Sequence, residues 1–145
     1  MRHITLIVSN LPKNFDGYRI VQVSDMHIGT FNGWRRFILE HEMDSIKHQN
    51  ANLIVFTGDL QNMCPSEILP FTNLLKTSMK NAIAVRGNHD YTEYVKLNPK
   101  EAEQQNNDFA NIVRHKLGWN LLENNHITIK RGNDSIVIAG TENDG

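Results

Sequence analysis

Residues 53–59 read Leu-Ile-Val-Phe-Thr-Gly-Asp, a short apolar run without alternation that ends in a glycine and an acid. Such a run is typical of a strand covered on both faces, as in a parallel sheet. A similar buried run at residues 82–86 leads into the sequence Gly-Asn-His-Asp of residues 87–90, and a predicted strand at residues 19–24 runs into Asp25. The sequence therefore predicts polar side chains at the carboxyl ends of three consecutive strands.

Helical periodicity fills the segments between these strands. Apolar residues recur at helical spacing in residues 34–49 and in a second segment that Ser66 is predicted to cap, with Pro70 near its first turn. A third helix is predicted from the Asn-Pro pair at residues 98–99 to Gly118, because asparagine caps, first-turn proline and terminal glycine are typical helix boundaries.

Strand-like patterns also occur at both ends of the chain. Residues 4–8 alternate Ile, Leu and Val with other residues, and residues 119–122, 126–131 and 134–140 are further predicted strands, the last two joined by a turn at residues 132–134. The resulting order, β-β-α-β-α-β-α-β-β-β, predicts an α/β layered domain whose parallel strands are joined by right-handed crossovers.

Composition limits the class of protein. The chain has 145 residues, a formal net charge of −1 and a single cysteine, Cys64. One globular domain over residues 1–145 is expected, with no internal disulfide and no nucleic-acid signature. The apolar runs are far shorter than the about 20 residues that cross a bilayer, and the first residues are too short an apolar run for a signal peptide. We expect a cytoplasmic or membrane-associated protein.

The polar residues that follow the strands form a metal-binding set. Asp25, His27, Asp59, Asn88 and His89 offer carboxylate, imidazole and amide groups. This mixture of oxygen and nitrogen donors suits Mn, Fe or Zn ions better than a pure Mg²⁺ or Ca²⁺ site. If the segment around Asp25 is extended, residues two apart face the same way, so Asp25 and His27 are predicted to reach one ion together.

A simpler interpretation competes with each of these residues. Aspartate and asparagine are ordinary turn residues after a strand, and a single Gly-Asp or Gly-Asn pair is a weak motif. Their joint placement after three consecutive strands favours the metal site. The remaining histidines are expected to be surface or partly buried side chains away from the cluster; they are His3, His41, His48, His115 and His126.

Three motifs, in their order and separation, resemble the first three signatures of the calcineurin-like metallophosphoesterase family, in particular its small bacterial members. They are Ser24-Asp25-Met26-His27-Ile28-Gly29, Gly58-Asp59-Leu60 and Gly87-Asn88-His89-Asp90. The resemblance covers nearly the whole chain. It implies a layered α/β/β/α sandwich of mixed sheets and a metal-dependent hydrolase that acts on phosphomonoesters or phosphodiesters.

The resemblance also implies a role for each residue. Asp25 and His27 would hold the first metal ion, Asp59 would bridge two ions, and Asn88 would hold the second. His89 would face the scissile phosphate, stabilising charge or protonating the leaving oxygen, while a water molecule between the two ions acts as the nucleophile.

Asn62 and Asp90 are predicted to support this site. The family often has an acid at the position of Asn62, where it bonds to the histidine that matches His89. An amide can still accept a hydrogen bond from the imidazole, but it stabilises an imidazolium less than a carboxylate does. Exchanging Asn62 for aspartate is therefore expected to alter the pH–rate profile and to leave metal content intact.

A second departure concerns the carboxyl-terminal side of the family pattern. Family members carry a further metal-binding histidine and a Gly-His-x-His segment, whereas the last histidine here is His126. We therefore expect residues 1–145 to be the amino-terminal part of a metallophosphoesterase domain that is incomplete at its carboxyl end. The complete enzyme would hold two divalent ions, and this chain one or none.

A different class of function stays open. The chain could be a catalytically inert fragment or a binding module whose exposed sheet edge pairs with another copy or with a missing half. The expected partner of the enzyme is a phosphoester substrate, whose identity the sequence does not choose. Proximity to a membrane in a full-length protein and self-association through the sheet edge are the two further partner hypotheses.

Overall fold

A four-stranded parallel sheet is the centre of the computed structural model, which describes residues 2–92 and 94–142. Its strands are β1 (Ile20–Val23), β2 (Leu53–Thr57), β3 (Ile83–Val85) and β4 (Asn120–Leu121), and they follow one another across the sheet in chain order. Val23 pairs with Phe56 and Thr57 pairs with Val85, so the first three strands end almost level with one another. The expected α/β fold is confirmed.

The connecting helices are α1 (Arg36–Lys47), α2 (Thr72–Ser78) and α3 (Pro99–Asn111). Because the strand order never reverses, crossovers of one hand place all three helices on the same face of the sheet. There Leu39 and Met43 of α1, Leu75 of α2 and Phe109 of α3 form one buried cluster with Phe56 of β2. This face contains most of the core.

A β-hairpin covers the opposite face of the sheet. Its strands are β5 (Asn125–Arg131) and β6 (Asp134–Gly140), which pair antiparallel. Ile127, Ile129 and Ile138 of the hairpin pack against Leu53 and Ile83 of the parallel sheet. Helices, parallel sheet and hairpin are therefore three of the four layers that the family resemblance implies, within the residues that the structure describes.

The second helical segment begins differently from its prediction. A 3₁₀ helix spans Pro65–Phe71, and Cys64, not Ser66, is the residue that precedes it. Pro65 occupies the first helical position, where its missing N–H costs nothing. Pro70 cannot donate the hydrogen bond that an α-helix needs at that point, so the α-helical segment begins only at Thr72. The prediction of a Ser66 cap was wrong.

The third helix follows its predicted signals. The Asn98 side chain accepts a hydrogen bond from the Glu101 N–H at 3.0 Å, and the Glu101 carboxylate accepts one from the Asn98 N–H at 3.1 Å. A π-helical segment, Ile112–Leu117, continues α3 until Gly118 ends it with a φ of 71°. Even with this extension, no helix within residues 2–92 or 94–142 has the length and apolar composition needed to cross a membrane.

Residues 4–8 do not form the predicted strand. Ile4 is 67% exposed, Leu6 80% and Ile7 96%, and residues 2–8 have no assigned helix or strand. Alternating apolar residues favour a strand only where a neighbouring strand satisfies the backbone and a second layer covers the apolar face. Within the described residues this segment has neither, which is why the local pattern failed as a prediction.

Candidate metal centre

The loops that follow β1 and β2 are joined by backbone hydrogen bonds at the carboxyl edge of the sheet. The Asp25 N–H donates to the Gly58 carbonyl oxygen at 3.0 Å, and the His27 N–H donates to the Asp59 carbonyl oxygen at 3.0 Å. These two bonds extend the contact between the strands beyond Val23, so the Asp-x-His motif and Asp59 lie side by side.

Asp25, His27 and Asp59 all adopt left-handed backbone conformations, with φ of 54°, 43° and 63°. Aspartate and histidine occupy this region more readily than most residues with a side chain. The segment from Asp25 to His27 is therefore not extended, and the predicted reason for these two side chains to face the same way was wrong. That they share an ion stays a prediction.

One carboxylate and two imidazoles converge at the sheet edge. One possible ligand atom from each of His27, Asp59 and His89 lies within 4.8 Å of the other two. Since metal–ligand bonds to imidazole and carboxylate are about 2.0–2.2 Å long, two ligands of one cation lie at most about 4.4 Å apart, which makes this group a candidate site for a single cation. Two histidines and one carboxylate are a donor set that suits Fe, Zn or Mn. Asp25 is exposed and is not part of this group.

Two glycines allow the β2 and β3 loops to approach this closely. A Cβ atom on Gly87 would lie 2.2 Å from Asp59 Oδ1 and 2.6 Å from the Asp59 nitrogen. A Cβ atom on Gly58, whose φ is 100°, would lie 2.4 Å from the Gly87 nitrogen. Any larger residue at either position would push the loops apart, and with them Asp59 and the Asn-His pair that follows Gly87.

Asp90 fastens the same two loops together from inside the protein. Its carboxylate is 1% exposed and accepts hydrogen bonds from the N–H groups of Asp59 at 2.8 Å, Leu60 at 2.8 Å, Gln61 at 3.1 Å and Gly87 at 3.1 Å. Burial raises the pKa of Asp90 to about 6, against the opposing effect of these four backbone hydrogen bonds. Asp90 thus holds Asp59 by binding the main-chain N–H of Asp59, not the Asp59 carboxylate.

His89 is oriented by contacts on both sides of its backbone. Its N–H donates to Asp59 Oδ1 at 2.9 Å, and its ring meets the His27 ring nearly edge-on, at 84° and with centroids 4.6 Å apart. The Nδ1 atom lies 3.1 Å from the main-chain carbonyl oxygen of Asn62. Because a carbonyl can only accept, Nδ1 carries the proton in this contact and Nε2 is left with a lone pair.

The structure corrects the predicted role of the Asn62 side chain. The main chain of Asn62, not its amide, contacts His89, and Asn62 Oδ1 is buried without a hydrogen-bond partner among the described residues. The Asn62 N–H instead donates to Glu67 Oε2 at 2.7 Å. Sequence reasoning missed Glu67, although an acid in the first turn of a helix is a recognisable signal for binding nearby N–H groups.

Asn88 contacts a residue that the sequence analysis did not single out. Its Nδ2 atom donates to the Tyr94 hydroxyl at 2.5 Å, and the Tyr94 ring stacks on the His89 ring with centroids 4.3 Å apart and an angle of 8°. Tyr94 lies outside every helix and strand. No periodicity or motif marks it, so the sequence alone had no signal that could have found it.

An α/β protein with a candidate cation site at its sheet edge is the class that this sheet and donor group define. The match to known families is more specific, because the model of the calcineurin-like phosphoesterases matches residues 18–142. The chain therefore belongs to the calcineurin-like phosphoesterase family, and the resemblance of its three motifs is confirmed. Members of this family are phosphoester hydrolases that use divalent metals.

Three curated bacterial proteins are similar to this chain. A probable cyclic nucleotide phosphodiesterase of Moraxella catarrhalis is 33% identical over 92 residues, which are 60% of this chain and 32% of that protein. The uncharacterised metallophosphoesterase YkuE of Bacillus subtilis is 31% identical over 98 residues, 62% of this chain and 32% of its own length. The UDP-2,3-diacylglucosamine pyrophosphatase LpxG of Chlamydia trachomatis is 33% identical over 101 residues, 63% of this chain and 29% of its own. The chain thus matches about a third of each relative.

Proposed function

We propose that this chain binds divalent cations at the carboxyl edge of its parallel sheet and hydrolyses phosphoesters there. The observation that carries the proposal is the convergence of His27, Asp59 and His89 within 4.8 Å. Two relatives are named a phosphodiesterase and a pyrophosphatase, so we propose a phosphate with two substituents as the first candidate substrate. A phosphomonoester is the second candidate.

Each residue of the site has a proposed task. We propose that His27 and Asp59, with Asp25, hold one cation and that Asp59 and Asn88 hold another in the complete enzyme. Such cations, with Mn, Fe or Zn as the candidates, supply positive charge that favours deprotonation of water and stabilises the phosphoryl oxygens. His89, whose Nδ1 is engaged by the Asn62 carbonyl, would use Nε2 to stabilise charge or to protonate the leaving oxygen.

Hydrolysis and metal binding are tested together. Bis(p-nitrophenyl) phosphate and p-nitrophenyl phosphate are offered with Mn²⁺, Fe²⁺ or Zn²⁺, and cation binding is measured by calorimetry. We expect metal-dependent hydrolysis that is lost in His27→Asn and retained in His126→Asn, a matched control on the exposed hairpin strand. A chain that binds none of these cations, or a His27→Asn variant that keeps full activity, contradicts the proposal.

A non-catalytic, self-associating module is the second candidate function. It is favoured by β1, which is an edge strand of the sheet and leaves Ile20 51% exposed, and by the exposed apolar residues 4–8. Unpaired edges and exposed apolar segments promote pairing with another chain. Sedimentation analysis should then show a dimer that Ile20→Lys dissociates. A monomer at high concentration contradicts this candidate without affecting the first.

Membrane association is a proposal about location, with a cytoplasmic protein as its alternative. Trp34 is 74% exposed and Phe37 60% exposed, their rings lie 6.4 Å apart, and the Arg35 guanidinium stacks 5.4 Å from the Trp34 ring. Exposed aromatic residues with an arginine suit the interface of an anionic bilayer. Co-sedimentation with vesicles that contain anionic lipid should therefore be lost in a double variant, Trp34→Ser with Phe37→Ser. Wild-type protein that stays in the supernatant contradicts association.

A further inference from the structure

Tyr94 makes two contacts with the candidate site and is itself 51% exposed. Its hydroxyl accepts a hydrogen bond from Asn88 Nδ2 at 2.5 Å, and its ring lies parallel to the His89 ring at 4.3 Å. A side chain that is half in solvent adds little to a hydrophobic core. Both contacts involve residues to which the proposed function gives a task.

The hydrogen bond matters because the two ends of an asparagine side chain differ chemically. The Nδ2 end only donates, whereas the Oδ1 end only accepts and is the end that binds a cation. In the structure the phenol oxygen accepts from Nδ2 and so occupies the donating end of the Asn88 amide. It leaves Oδ1 free for a cation, and the alternative orientation would present an N–H₂ group to a positive charge.

The ring contact restricts the second residue. His89 has the His27 ring edge-on at 4.6 Å and the Tyr94 ring stacked at 4.3 Å, while the Asn62 carbonyl holds its Nδ1. With two ring neighbours and one hydrogen bond, rotation about the side-chain bonds of His89 is opposed from more than one direction. Preorganised groups of this kind are the ones that act efficiently on a reacting phosphate.

We infer that Tyr94 is a positioning residue of this site: its hydroxyl orients the Asn88 amide so that Oδ1 faces a cation, and its ring fixes the plane of the His89 imidazole. This inference rests on the proposed function for its consequence in catalysis. The contacts themselves are open to measurement without a metal or a substrate, so the two hypotheses fail separately.

Two variants separate the hydroxyl from the ring. Tyr94→Phe removes the hydrogen bond and keeps the stack, whereas Tyr94→Leu removes both. Tyr18→Phe is the matched control, because the Tyr18 hydroxyl also makes one hydrogen bond, to the Asn52 carbonyl at 3.5 Å, on the hairpin side of the sheet. In metal-free protein, NMR should show the Asn88 side-chain amide shift changed in both Tyr94 variants. The ring-current contribution of Tyr94 to the shifts of the His89 protons should disappear only in Tyr94→Leu.

The functional readouts are cation affinity and the pH–rate profile. Loss of a partner that orients a metal ligand costs about 10- to 100-fold in affinity, so we expect about a 10-fold weaker Mn²⁺ affinity in both Tyr94 variants and none in Tyr18→Phe. Tyr94→Phe should keep the pH–rate profile of the wild type, and Tyr94→Leu should shift it. The inference is overturned if neither variant changes the NMR signals, or if Mn²⁺ perturbs the Asn88 side-chain amide signal of wild-type protein and both variants bind the ion equally well. Wild-type protein that binds no Mn²⁺ contradicts the proposed function, while the NMR signals still decide the two contacts.

Discussion

The candidate site has a buried side and an open side, and they are built by different means. On the buried side Asp90 is 1% exposed and accepts hydrogen bonds from four backbone N–H groups. On the open side the half-buried Asp59 carboxylate accepts one, from the N–H of His89. The two aspartates follow neighbouring strands. The carboxylate oxygens of Asp90 are all engaged by backbone N–H groups, whereas those of Asp59 can still accept a bond to a ligand. Counting the hydrogen bonds of a carboxylate thus separates structural acids from candidate ligands.

The largest effect is expected from Asp90→Asn. The amide nitrogen that replaces one carboxylate oxygen has no lone pair to offer, so two of the four backbone N–H groups lose their acceptor. Each buried donor left without a partner costs about 1–3 kcal/mol, so we expect the unfolding free energy to fall by about 4 kcal/mol. Urea denaturation followed by circular dichroism measures it. A loss below about 1 kcal/mol would contradict the structural role of Asp90.

The carboxyl ends of the strands were predictable from sequence, and the side-chain partners were not. Strand-forming runs followed by Asp25, Asp59 and Asn88 place these residues at one sheet edge because parallel strands in chain order end together. The orientation of a side chain, however, depends on the local backbone. The left-handed φ of 54° at Asp25 breaks the alternation that an extended segment would have.

Contacts between residues that are far apart in the sequence could not be predicted either, because no periodic pattern marks them. The His89 imidazole uses the Asn62 main chain, which every residue type offers, so the identity of residue 62 carried no information about this bond. Tyr94 lies in a loop whose course depends on tertiary packing. At residues 4–8 the pattern was present and the strand was not, because a strand also needs a partner that local sequence does not supply.

Protonation of Asp90 should make stability depend on pH in metal-free protein. Its pKa is raised from 3.8 to about 6 in the folded state, so between these values the folded protein binds a proton more tightly than the unfolded chain. The contribution to the unfolding free energy is fully present below about pH 4 and is lost as the pH rises through about 6. At about 1.4 kcal/mol per pKa unit it amounts to about 3 kcal/mol.

Urea titrations in EDTA from pH 4 to pH 7 measure this dependence, with Asp90→Asn as the variant that should lack the step. The ¹³C shift of the Asp90 carboxyl group gives the same information directly, and it serves if the variant does not fold. A carboxyl signal that titrates near pH 4 would show that the four backbone hydrogen bonds fully offset the effect of burial.

On the open side, Asp59→Asn should separate ligand binding from stability. Asparagine keeps an oxygen that can accept the His89 N–H, so the loop retains its one side-chain hydrogen bond there. The negative charge that attracts a cation is lost. We expect cation affinity to fall by about 100-fold, because even the loss of a residue that only orients a metal ligand costs about 10- to 100-fold. The unfolding free energy should change by less than about 1 kcal/mol. Calorimetry with Mn²⁺ and urea denaturation measure the two quantities. If Asp59→Asn also lowered the unfolding free energy as much as Asp90→Asn does, the proposed difference between the two aspartates would be contradicted.

The smallest effect is expected from Asn62→Asp. Because the main-chain carbonyl of residue 62 already holds His89 Nδ1, a new carboxylate need not replace that contact, and the imidazolium would feel its charge only at longer range. The Glu67 and Asn62 side chains lie close together, because a Cβ atom built on Gly29 would be 2.8 Å from Glu67 Oε2 and 2.9 Å from Asn62 Oδ1. An aspartate at position 62 would therefore also face the Glu67 carboxylate. Repulsion between these acids opposes the benefit of a second negative charge near His89.

We therefore expect Asn62→Asp to leave cation binding intact, to move the pH–rate profile by less than about one pH unit and to change the rate at its optimum by less than about 10-fold. Asn62→Asp combined with Glu67→Gln removes the repulsion, and its larger shift in the pH–rate profile would show that Glu67 limits the single variant. If the single variant already shifts the profile by more than about one unit, the side chain at position 62 acts on His89 directly and the main-chain contact is not the dominant influence on the imidazole.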